Sequence, residues 1–86
     1  MAATQAEIEA LIAAGRLDEA LAAADSADEA TAHYLRGRIA WKQGRRAEAI
    51  AAYGRAAALD PAGPGATALA QAREIMDFFN KDLYNP

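Results

Sequence analysis

Gly44-Arg45-Arg46-Ala47-Glu48-Ala49-Ile50-Ala51-Ala52-Tyr53 decides the fold, because the chain carries its pattern twice. Gly15-Arg16-Leu17-Asp18-Glu19-Ala20-Leu21-Ala22-Ala23-Ala24 aligns with it at an offset of 29 residues. Glycine, arginine, an acid, alanine and a branched aliphatic recur in register. A self-similar period of this size marks repeated supersecondary units that bury their apolar faces against one another. Each copy reads as a helix, a glycine turn and a second helix, since glycine accepts the left-handed backbone that ends a helix.

Capping signals set the other boundaries. Thr4-Gln5-Ala6-Glu7 is a capping box, followed by Ile8, Leu11 and Ile12 on one helical face. The second helix is expected to bury Leu17, Ala20, Leu21 and Ala24. Ser26-Ala27-Asp28-Glu29 is a second capping box and opens the third helix. Asp60-Pro61 ends the fourth, and Pro61-Ala62-Gly63-Pro64-Gly65 is a tight connection to a fifth. The expected helices lie near residues 4–14, 18–25, 28–43, 46–59 and 64–81, and the short loops make consecutive helices antiparallel neighbours.

Composition agrees. Alanine supplies 26 of the 86 residues, and valine and cysteine are absent, so helix propensity dominates throughout. Without cysteine there are no disulfide staples and no thiolate metal sites. One His and one Ser leave almost nothing for nucleophilic catalysis, so no catalytic, cofactor or metal-binding residues are assigned. Gly37 and Ala40 on the third helix are expected to face Ala49 and Ala56 on the fourth, with Tyr53 and Leu59 filling the space between.

From Trp41-Lys42-Gln43-Gly44-Arg45 through Ala49-Ile50, Tyr53, Ala56 and Leu59-Asp60-Pro61, the chain resembles a tetratricopeptide repeat (TPR). Gly37 stands at that repeat's helix-A glycine, and Ala49, Tyr53, Ala56 and Pro61 at its helix-B signature positions. His33 and Arg36 depart from the pattern, standing where the family prefers an aromatic and Leu. The first repeat is five residues short of the usual 34 and lacks the closing Leu-Asp-Pro. The tail from Phe78 to Pro86 is also similar to that of short bacterial TPR proteins. The resemblance implies an all-α fold: antiparallel helix hairpins stacked as a short right-handed superhelix with a C-terminal capping helix. It implies one domain over 1–86, divided into a degenerate first repeat (4–29), a full repeat (30–63), a cap (64–82) and a tail (83–86).

Charge is distributed unevenly: net −6 over residues 1–30, +5 over 31–59 and −2 over 60–86. On the third helix Thr31, Tyr34, Arg38, Trp41, Lys42 and Arg45 recur at three- and four-residue spacing and share one face. The resemblance places that face in a concave groove. Two aromatics and three cations there suit an acidic peptide or a free carboxylate. The plainer alternative is a solvated basic face, partly neutralised by the acidic first two helices, with Trp41 packed under a neighbour. Nucleic acid is disfavoured, because the pI is about 5.0 and both flanking segments repel a polyanion.

The remaining signals are modest. His33 has no companion ligand. Asp25, Asp28 and Glu29 lack the calcium-loop spacing and read as helix N-terminal charges. Gly63-Pro64-Gly65 lacks the Lys-Ser/Thr of a phosphate loop. No apolar run reaches bilayer length, and Met1 to Ala10 carries no Lys or Arg, so the expected location is cytoplasmic. The fifth helix has a broad apolar stripe. Phe79 is expected inside with Leu69, Ala72 and Met76, and Ile75, Phe78 and Leu83 form a candidate self-association face. The expected function is therefore a non-catalytic protein-interaction module taking an acidic peptide or protein segment. A homodimer through the fifth helix is the alternative.

Overall fold

Both glycine turns close in the same way. In the computed structural model, which describes residues 3–84 with side-chain surroundings as far as Phe78, α1 (Gln5–Ala13) turns into α2 (Leu17–Ala24). Likewise α3 (Glu29–Lys42) turns into α4 (Arg46–Leu59). Gly15 has φ 80° and Gly44 φ 79°, the left-handed region that side chains avoid. The Gly15 amide donates to the Ile12 carbonyl at 3.0 Å and the Arg16 amide to that of Leu11 at 2.9 Å. Twenty-nine residues on, the Gly44 amide donates to Trp41 at 3.0 Å and the Arg45 amide to Ala40 at 2.9 Å. This paired bonding is the Schellman arrangement, which satisfies carbonyls a helix end leaves orphaned. Each following helix opens with an arginine–glutamate pair, Arg16–Glu19 at 2.7 Å and Arg45–Glu48 at 3.7 Å.

The fifth helix, α5 (Pro64–Tyr84), starts on a proline, whose missing amide donor costs nothing at the first helical position. No strand occurs among the described residues. The five helices pack as neighbours in chain order, most extensively α3 on α4. In addition α1 touches α3 and α3 touches α5, whereas α2 and α4 do not meet. The odd-numbered helices therefore adjoin along one side, with α2 and α4 outside them. This is a helical-repeat arrangement, and it makes α3 the one element in contact with all four others.

The core is small in side chain and close in approach. Ile8, Ile12 and Leu35 are its largest fully buried residues; Ile39, Tyr34, Tyr53 and a set of alanines that includes Ala20, Ala24, Ala49 and Ala56 complete it. A Cβ on Gly37 would lie 2.5 Å from Cδ1 and Cε1 of Tyr53, so the tyrosine ring rests directly on the α3 backbone. A Cβ on Gly65 would lie 2.5 Å from that of Ala56, so the start of α5 meets α4 almost backbone to backbone.

Three expectations change. The cap of α3 is Asp28, whose carboxylate accepts the Thr31 amide at 3.2 Å. Hydrogen bonding from Thr31, side chain first and then backbone, holds the Asp28 carboxyl below its usual range. Ser26 instead donates its hydroxyl to the Ala23 carbonyl at 2.7 Å, tying off α2. Leu21 is 45% exposed rather than buried, because the inward line of α2 runs through Ala20 and Ala24 and the next residue turns away by about 100°. Leu59, at the last turn of α4, is 50% exposed, because Gly65 brings α5 onto Ala56 and leaves no gap for a leucine. The expected burial of Phe79 falls on a side chain outside the described residues, as does the expected role of Leu83.

Gly54 offers a direct check on propensity. It lies inside α4, and a Cβ there would meet nothing within 4 Å. Gly54→Ala should raise the unfolding free energy by about 0.5–1 kcal/mol, since only the backbone entropy of glycine is removed. Urea denaturation of the two proteins measures this.

Candidate functional site

Tyr34, Arg38 and Trp41 stand at four- and three-residue spacing on α3, so they rise from one face of the central helix. Two open clefts flank that ridge. The larger, about 470 Å³, lies between α3 and α5; Tyr34, Arg38, Trp41 and Tyr53 form one side, and α5 supplies Thr67, Gln71 and Ile75 opposite. The second, about 420 Å³, lies toward α1 and is lined by Ile12, Ala13, Arg38, Trp41 and Lys42. Arg38 and Trp41 border both.

The packing of Gly37 orders this surface. Tyr53 settles over Gly37 and meets Tyr34 with ring centroids 6.1 Å apart and planes tilted by 34°. The Tyr34 hydroxyl donates to Glu9 Oε1 at 3.1 Å and accepts from Arg38 Nη1 at 3.2 Å. Arg38 Nη1 also faces the same Glu9 oxygen at 3.5 Å. On the far side of the ridge, Lys42 Nζ donates to the Ala13 carbonyl at 3.4 Å, a cation at the end of α1 where the helix dipole favours one. The Arg46 guanidinium sits 5.3 Å from the Trp41 ring centroid, within cation–π reach.

These contacts place the expected site residues. Tyr34, Arg38, Trp41 and Lys42 come together along the clefts. Thr31 lies in the first turn of α3 beside its cap, and Arg45 lies beyond the helix end at the cap of α4, paired with Glu48; neither lines a cleft. The charge segregation of the sequence becomes inter-segment pairing. Asp25 meets Arg36 at 2.6 Å and Glu9 meets Arg38, both tying the acidic first hairpin to the basic third helix.

Sequence reading missed Glu9, Tyr53 and the α5 wall as parts of this surface. A signal for Glu9 was present: the 29-residue offset that aligns the glycine turns also aligns Glu9 with Arg38 and Ile12 with Trp41. Equivalent positions of adjacent repeats lie side by side, so an acid and a base at one repeat position should meet. No comparable signal marks Thr67 or Gln71.

Burial pushes the Tyr34 hydroxyl above its ordinary range, with Arg38 opposing and Glu9 adding to the shift. Burial does the same to Tyr53. A phenol with a raised folded-state pKa keeps its proton in the fold longer than in the unfolded chain. Its contribution is complete below about pH 10 and is lost as pH rises through the folded value. Urea midpoints should therefore hold steady from pH 8 to about pH 10 and fall above it. The fall should shrink in Tyr53→Phe.

Among the described residues, no group of His, Asp or Glu side chains is arranged to hold a metal ion. No helix among them is long and apolar enough to cross a membrane. A family model described as the tetratricopeptide repeat matches residues 30–62, which span α3, α4 and the turn after them. No curated protein and no solved structure matches the chain.

Proposed function

We propose that the chain is a non-catalytic protein-interaction module. In this reading its hairpins stack as a short right-handed TPR superhelix, α5 caps the stack, and a partner's extended segment lies along α3 between α1 and α5. One observation carries the reading: two open clefts of about 470 and 420 Å³ meet at a single aromatic–cationic pair, Trp41 and Arg38. An apolar side chain of the segment packs against Trp41 and Tyr53, where rigid rings supply contact area at little entropic cost. An acidic group of the segment meets Arg38, whose planar fork matches a carboxylate, with Lys42 beside it.

The test is selective loss of a partner. Tagged protein from its native cells should retain a bound protein that Trp41→Ala and Arg38→Glu both release. Arg55→Glu, on α4 away from both clefts, should keep it. Binding should weaken as salt is raised, because exposed charges are screened over about 8–10 Å at physiological ionic strength. A partner retained by both Trp41→Ala and Arg38→Glu proteins removes this surface from the function.

A second reading is favoured by two exposed apolar side chains of α5, Ile75 at the cleft wall, 41% exposed, and Phe78 beyond it, 64% exposed. There a second copy of the chain covers these side chains in a twofold contact. Sedimentation at micromolar and higher concentrations tests it: a dimer that Phe78→Ser dissociates supports it, and a strict monomer removes it.

A further inference from the structure

Glu9 occupies the position that a ligand's carboxylate would take. Its Oε1 lies 3.5 Å from Arg38 Nη1 and accepts from the Tyr34 hydroxyl, so the acidic group the groove would receive is already supplied by α1. The occupation is partial. A guanidinium presents five N–H donors in a planar fork, and among the described residues the contacts of Arg38 engage one nitrogen. The Arg38 side chain is 44% exposed and that of Glu9 32%, so neither charge is locked in by desolvation. A loose, partly solvated pair of this kind is held only weakly, whereas a two-oxygen carboxylate can engage both terminal nitrogens of the fork.

Resting on the groove reading above, we propose that Glu9 is an internal competitor that sets what the groove accepts. A carboxylate alone meets a cation already half neutralised and a negative charge beside it, and is turned away. A ligand that brings an aromatic ring for Trp41 and Tyr53 together with a carboxylate has enough added contact to displace Glu9 from Arg38. The ligand class is therefore a peptide segment with an aromatic residue next to an acidic group or a C-terminal carboxylate.

The probes are N-acetylphenylalanine, which pairs a ring with a carboxylate, and its carboxamide, which has the ring without the charge. Trp41 is the chain's one tryptophan, so its indole N–H resonance reports cleft binding without ambiguity. Both probes are titrated at pH 7 into wild type, Glu9→Gln and Glu9→Gln/Arg38→Gln. Glutamine keeps an oxygen that accepts from Tyr34 and removes only the charge. In wild type the two probes should bind with similar affinity. In Glu9→Gln the carboxylate should bind about fivefold tighter with the carboxamide unchanged, and the gain should vanish in the double variant. A carboxylate-to-carboxamide ratio that is the same in Glu9→Gln as in wild type, or lower, overturns the competitor role while leaving the groove intact. If neither probe moves the Trp41 resonance in any of the three proteins, the groove reading falls and this inference falls with it.

Discussion

Gly37→Leu should lower the unfolding free energy by about 3 kcal/mol, measured as a reduced urea midpoint at unchanged slope. Even a bare Cβ at this position would lie 2.5 Å from two ring carbons of Tyr53 and 3.2 Å from the Ala49 carbonyl oxygen. Tyr53 is 4% exposed and held against Tyr34, so its ring has nowhere to go without parting α3 from α4. Overpacking a core commonly costs about 1–3 kcal/mol, and leucine adds three carbons beyond the clash. A chain of this length typically holds about 4–13 kcal/mol, so the loss is a large share. Gly37→Ala is the discriminating variant. Helix propensity alone favours alanine by about 1 kcal/mol, yet the steric conflict should win and the protein should be less stable than wild type. A Gly37→Ala protein as stable as wild type would show that the ring does not rest on the helix. Because Tyr53 also positions Tyr34, both variants should disturb the Trp41 surface at temperatures where the chain is still folded.

Leu35→Ala should cost about 3 kcal/mol by the opposite route, a cavity. Leu35 is fully buried on the one helix that touches the other four, so its contacts cannot be recovered by shifting a single neighbour. For a domain of this size each kcal/mol moves the melting temperature by about 4–8 °C, so a fall of about 12–24 °C is expected in a thermal melt. Leu21→Ala is the matched control. The same side chain is removed from a position 45% exposed on α2, and the change should stay close to 0.5 kcal/mol. Equal losses at the two leucines would place Leu21 in the core after all.

Leu21 also shows how far sequence reading reaches. It follows Leu17 at helical spacing, and periodicity alone assigns it inward. Whether it is covered depends on the direction of approach of a neighbouring helix, and on α2 that direction is taken by Ala20 and Ala24. Leu59 tells the same story at a helix end, where the approach of Gly65 to Ala56 closes the space a leucine would have filled. In a chain so rich in alanine, small residues mark many of the contacts, and large apolar ones such as Leu21, Leu59, Ile75 and Phe78 can be left exposed. The candidate site divides in the same way. Tyr34, Arg38, Trp41 and Lys42 were legible because they share a face of one helix. Thr31 and Arg45 fit the same spacing, but Thr31 lies in the first turn of α3 and Arg45 past its end at the cap of α4, outside the clefts.

Local residue type is enough to specify the elements: five helices, their order, the glycine turns and their 29-residue period. Those features rest on bonds between residues at most five apart, as in the Gly15 and Gly44 turns, and such bonds are specified by local residue type. Only packing settles that Glu9 also accepts from Tyr34, how tightly Tyr53 presses on Gly37, and that Thr67, Gln71 and Ile75 wall a cleft whose other side is α3. Each of those joins residues at least 16 positions apart across separate helices. The pairing follows from how closely backbones can approach where side chains are smallest, a property of two surfaces together that neither segment carries alone.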